Sequence, residues 1–211
     1  MPSPEERTTP EPLTLAAVLP GLLLILLVDL ATVLKLRHVF GPYFNAWNLL
    51  ITILPWVTLI LFRKSPAKYG YRRQRALAGF GWGMVAGGVW RGLSLGFNSL
   101  FQGGWSQIGG NVHAWFGAVI WIPFVEETFF RGYIGAPLVK QFGRWPGILV
   151  QALIFSLHPG HWSQGWPHLA SIFAFGILAG WLFERYQSIW PSWGAHAFGN
   201  VLPYFLQTRI T

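Results

Sequence analysis

Glu126 and Glu127 are adjacent carboxylates inside the apolar stretch WIPFVEETFFRG, and Arg131 follows four residues after the second of them. A single charge at the centre of a membrane-crossing run costs on the order of 3 kcal/mol, so two side by side point to chemistry. On a helix, Glu127 and Arg131 stand at i,i+4 and share a face, while Glu126 points about 100° away. The spacing therefore predicts a charge-compensated Glu127 and a freer Glu126. An uncompensated carboxylate in low dielectric suits general acid or base work. The competing reading is that both carboxylates only neutralise Arg131 and a neighbour such as Arg91.

In WGAHAFGN, His196 and Asn200 are also spaced i,i+4. They form a hydrogen-bonding patch for a polarised carbonyl, or else the amide fixes the imidazole tautomer. His158 stands just before Pro159 in LIFSLHPGHW, where a broken helix can line a wet cavity. His161 is the alternative for that role. Otherwise His161 and His168 read as interfacial or loop residues, and His38 and His113, at span edges, are assigned no function. Glu126, His158 and His196 together allow two chemistries. They could ligate a zinc ion with water in the open position. Alternatively, Glu126 activates water directly while His196, Asn200 and His158 stabilise the oxyanion, with no cofactor required. Spacing does not choose between them.

The elements that must hold these groups follow from composition. Of 211 residues, 53% are hydrophobic and 10% charged, against about one quarter charged in soluble domains, which excludes a water-soluble globular chain. At about 20 residues per crossing the expected fold is all-α: a polytopic transmembrane helix bundle of about seven spans around a polar intramembrane cavity. The spans run from about Leu13 to Leu34, Phe44 to Phe62, Ala76 to Phe101, Val112 to Ile134, Trp145 to His158 or beyond, Trp166 to Phe183 and Ile189 to Leu206. Residues 1–12 form a polar tail and 13–208 a single domain. Gly79, Gly83 and Gly87 recur at the small-xxx-small spacing that lets helices approach in lipid. The stretch RKSPAKYGYRRQR marks the cytoplasmic side, giving a cytoplasmic N-terminus. The net charge of +8 is read as topology and contact with anionic lipid rather than nucleic-acid binding. Trp162, Trp166, Trp190 and Trp193 read as interface anchors. With no cysteine, thiolate nucleophiles and disulfides are excluded.

Glu126-Glu127-Thr-Phe-Phe-Arg131 and His196-Ala-Phe-Gly-Asn200 match the EExxxR and HxxxN motifs, and the sequence resembles the CPBP family of CAAX proteases and bacteriocin-processing (Abi) enzymes. It departs from the intervening FxxxH motif, because Ile154 occupies the aromatic position relative to His158 and Phe155 lies one residue closer. The similarity spans about 69–206. It implies an intramembrane endopeptidase of prokaryotic cell membranes, similar to the type II CAAX prenyl protease, with a membrane-anchored or hydrophobic protein or peptide as substrate. By that resemblance Glu126, His158 and His196 form the catalytic centre, Asn200 supports it, and Glu127 and Arg131 complete the motif. The alternative is a non-enzymatic transporter or partner-binding subunit that uses Glu126, Arg91 and Asp29 as an ion path.

Overall fold

The computed structural model describes residues 13–34, 46–74, 76–102, 116–158, 161 and 165–207. The polar tail 1–12, the 35–45 connection with Lys35, Arg37 and His38, Arg75, the 103–115 stretch with His113, residues 159–160 and 162–164, and Arg209 lie outside the described residues.

The described chain is all helical, as its composition requires. Helices α1 (Leu15–Val33) and α2 (Ala46–Leu61) precede a short 3₁₀ turn (Pro66–Tyr69), and α3 covers Ala76–Gln102. Next comes a continuous helix, α4, over residues 117–142. It has a π-helical start (Gly117–Trp121), an α-helical middle (Ile122–Glu127), a second π segment (Thr128–Gly135) and an α-helical end (Ala136–Phe142). Helices α5 (Arg144–Ser156), α6 (Gly165–Tyr186) and α7 (Ile189–Gln207) complete the bundle.

Both π segments of α4 have the same local cause. Pro123 and Pro137 lack an N–H and would clash with the carbonyls of Val119 and Tyr133 in a regular α-helix. In each case the turn widens just upstream, so that Ile122 donates to Gly117 and Ala136 to Arg131, five residues back. The Val119 carbonyl, which Pro123 leaves without a helical donor, accepts instead from the Trp193 indole N–H of α7 at 3.3 Å. The second widened turn also carries α4 past the expected end at Ile134, down to Phe142. The connection to α5 shrinks to Gly143, whose φ of +87° is open to glycine at little cost.

The most extensive helix pairing among the described residues is α3 against α7. It depends on the absence of side chains at the crossing. A Cβ on Gly83 would lie 2.0 Å from the Pro191 carbonyl oxygen, one on Gly87 2.2 Å from that of Ala195, and one on Gly194 2.1 Å from that of Phe80. The glycine spacing seen in α3 thus brings two backbones into contact.

Among the described residues, α6 alone is long and apolar enough to cross a membrane by itself. The apolar parts of α1 and α2, Leu15–Ala31 and Leu49–Leu61, are shorter. The outer faces are nevertheless oily: Leu27, Ile60 and Leu93 are 61%, 74% and 71% exposed. Apolar surface of that kind is rare on a monomer surrounded by water.

Gly83→Ala should lower the thermal unfolding midpoint in detergent by several degrees, because the α3–α7 contact must open to admit the methyl group, at about 1–3 kcal/mol. Gly81→Ala on the same helix meets nothing within 4 Å and should leave the midpoint unchanged or raise it. Equal effects of the two substitutions would contradict the close crossing.

Candidate active site

Glu127 and Arg131 project from successive turns of α4, at the junction of its α-helical middle and second π segment. Arg131 Nε lies 3.0 Å from Glu127 Oε2, both side chains are fully buried, and a guanidinium N–H donates to Glu127 Oε1 at 3.4 Å. The pair is not isolated. Another Arg131 N–H donates to Gln151 Oε1 on α5 at 2.9 Å, and the Gln151 amide donates onward to the Gly176 carbonyl of α6 at 2.8 Å. The guanidinium is also packed between aromatic rings, 4.6 Å from the centroid of Phe155 and 5.8 Å from that of Phe175. The guanidinium thus meets a carboxylate, an amide oxygen and two π faces, the kind of surroundings that a charge removed from water requires.

The network ends at the second motif. His196 Nδ1 is 2.8 Å from Glu127 Oε1. With Glu127 ionised opposite Arg131, the carboxylate accepts and Nδ1 carries the hydrogen. The other ring nitrogen then faces Glu126: His196 Nε2 is 3.9 Å from Glu126 Oε2. Glu126 is 17% exposed where Glu127 is fully buried, so the two adjacent carboxylates occupy different environments. Glu127 is thus a partner that orients the His196 ring, a role the sequence offered to Asn200 as one of two alternatives.

Glu126, His196 and Asn200 line one cavity of about 270 Å³. His161, His168 and Arg91 line it too, with Trp90, Phe155 and Phe175 among its aromatic walls. His158 takes a different place. Its Nδ1 is 3.2 Å from Asp29 Oδ1 on α1, and its ring centroid is 5.5 Å from that of His161. His161 is anchored by donating Nδ1–H to the Phe155 carbonyl at 3.0 Å. Of the two candidates for the middle motif, His161 faces the cavity and His158 stands beside it, near enough to act electrostatically on Glu126. Among the described residues no three His, Asp or Glu side chains are grouped to hold a metal ion.

Residues 108–202 match the family model of type II CAAX prenyl endopeptidase Rce1-like proteins. The matched segment covers a little under half of the chain and shows similarity to that family. This agrees with the resemblance to CPBP proteases read from the motifs, since Glu126 to Arg131, His158 and His196 to Asn200 all fall inside the matched segment. The Rce1-like family is one of membrane-embedded proteases. No curated protein and no solved structure matches the chain. Asp29 and Arg91, which meet the site from α1 and α3, lie outside the Rce1-like segment.

Gln151 was not singled out from the sequence. A lone amide in the apolar run ILVQALIF is the signal that marks it, for the same reason as the carboxylate pair: a polar group in such a run needs a partner. Trp190 and Trp193, expected as interface anchors, donate to backbone carbonyls, Trp190 to Arg72 at 2.6 Å and Trp193 to Val119 at 3.3 Å.

Glu127→Ala leaves Arg131 buried without its counter-charge and should destabilise the solubilised protein by about 3–5 kcal/mol. Removing both charges in Glu127→Ala/Arg131→Met should recover more than half of that loss in a thermal or denaturant unfolding experiment. A double variant as unstable as the sum of its parts would show that the two side chains act independently.

Proposed function

We propose that the chain is an intramembrane endopeptidase that hydrolyses a peptide bond near the membrane-anchored end of a protein or peptide, with Glu126 as the base that activates water. The observation that supports this best is the facing of Glu126 Oε2 and His196 Nε2 at 3.9 Å on a shared cavity, with His196 held from behind by Glu127. A water between the two groups reaches both within hydrogen-bonding distance.

In this mechanism the water oxygen bonds to the scissile carbonyl carbon and its proton passes to Glu126. The carbonyl oxygen becomes an oxyanion. The Asn200 amide one turn along α7 donates to it, and His196 adds a second donor from Nε2 in its imidazolium form, in which Nδ1 still donates to Glu127. The C–N bond then breaks as Glu126 returns the proton to the leaving amine, so each step balances without an external reagent. His158, held by Asp29, supports the charge on Glu126 from the side. Glu127 and Arg131 do not touch substrate in this reading; they position His196.

The surrounding helices are read as about seven membrane spans with the arginine-rich loop and the N-terminus cytoplasmic, in a prokaryotic cell membrane. The exposed Leu and Ile of α1, α2 and α3 support a lipid surround. The family description makes a prenylated CAAX peptide the first substrate to test. The mechanism uses no metal; a zinc-dependent variant would use Glu126, His158 and His196.

Glu126→Gln should abolish cleavage of an S-prenylated CAAX peptide, a loss of at least about a thousandfold, while the unfolding midpoint changes little. Wild-type turnover should survive a chelator. Retained cleavage by Glu126→Gln would overturn Glu126 as the base, and loss of wild-type activity on chelation, restored by zinc, would overturn the metal-free mechanism.

A further inference from the structure

Arg91 is a cation in the middle of α3 that lines the same cavity as Glu126 and His196. Its Nε is buried and has no hydrogen-bond partner among the described residues. The one carboxylate on the same cavity among the described residues, Glu126, stands opposite His196. Its own contacts are with Trp90, over whose ring the guanidinium lies 5.9 Å from the centroid, and with His168, on which its charge bears. Trp90 is itself fixed, since its indole N–H donates to the Ser171 carbonyl at 3.2 Å. Arg91 is thus a guanidinium on the cavity wall that forms no ion pair among the described residues. A membrane-embedded cation of that kind is costly unless a ligand completes it.

The anion that suits a planar fork is a carboxylate, held by two parallel N–H···O bonds. Cavity size argues for where that carboxylate sits in the substrate. The cavity that Arg91 shares with Glu126 measures about 270 Å³, so a carboxylate held by Arg91 lies within a few residues of the bond presented to Glu126. The one carboxylate that every free peptide end carries is the terminal one.

We propose that Arg91 binds the free C-terminal carboxylate of the substrate and thereby sets how far from the C-terminus the bond is cut. This rests on the peptidase reading for its substrate but not for its measurement, which is one of binding. The experiment uses the full-length chain in detergent micelles carrying Glu126→Gln, so that no probe is consumed. Three S-prenylated CAAX peptides serve as probes: the free acid, its C-terminal amide, and an amide with glutamate as the last residue. The free acid should bind about tenfold or more tightly than either amide, the size of one charge-assisted pair. In Glu126→Gln/Arg91→Gln the free acid should fall to the level of the amides while amide binding stays unchanged. Arg91→Lys in the same background should keep part of the preference.

Equal binding of acid and amide, no binding of the free acid, or a preference that survives Arg91→Gln would each overturn the assignment. Glutamate-amide binding as tight as that of the free acid would overturn its terminal part and leave a side-chain carboxylate as ligand. Failure of the wild type to cleave any probe, with the acid preference and its dependence on Arg91 intact, would count against the peptidase reading alone.

Discussion

A fully buried carboxylate and guanidinium, Glu127 and Arg131, set the conditions under which the rest of the site is built. Removing two charges from water costs several kcal/mol per ion, and their mutual attraction offsets this only when the remaining lone pairs and protons find partners. The fold supplies them from separate helices: Gln151 from α5, the Gly176 carbonyl and the Phe175 ring from α6, and His196 from α7. The requirement that stabilises one ion pair therefore fixes the mutual positions of four helices. The imidazole at the end of this network has one nitrogen occupied by Glu127, which leaves the other to face Glu126.

Local backbone chemistry brings the carboxylates to that point. Pro123 and Pro137 each force a wide turn just upstream, so the α-helical stretch bearing Glu126 and Glu127 lies between two π segments. The carbonyl released by Pro123 is captured by Trp193, three residues before His196 on α7. The close α3–α7 crossing through Gly83 and Gly87 brings Trp90 and Arg91 to the same cavity wall. Proline, glycine and tryptophan here do positional work at some distance from the reacting groups.

Much of this was legible from spacing. The i,i+4 relation predicted that Glu127 would take Arg131 and leave Glu126 separate, and the glycine repeat predicted a close helix contact. Both depend on one helix at a time, where sequence distance translates directly into geometry. What sequence did not reveal are the links between helices. The partner of His196 is 69 positions away and that of His158 is 129 away, and nothing local in either motif encodes those distances. The π segments were also invisible to a reading that assumed 3.6 residues per turn, and the span placed to end at Ile134 runs on in α4 to Phe142. The middle histidine was ambiguous because residues near Pro159 do not follow helical periodicity. In the structure, His161 faces the cavity and His158 pairs with Asp29.

The Rce1-like segment contains the motif residues but not the helices that bring Asp29 and Arg91 to the site, so the cavity is a joint product of the 108–202 segment and the chain before it. Its central feature is the hydrogen between Glu127 and His196. Solid-state ¹⁵N NMR on the lipid-reconstituted protein with labelled histidine reads its location directly, with His196→Gln used to assign the signal. An ionised Glu127 predicts that Nδ1 of His196 carries the hydrogen and donates it to the carboxylate. A bare Nδ1 accepting a proton from a neutral Glu127 would contradict the account, because Arg131 would then not be holding Glu127 charged and His196 would not be turned towards Glu126 by it.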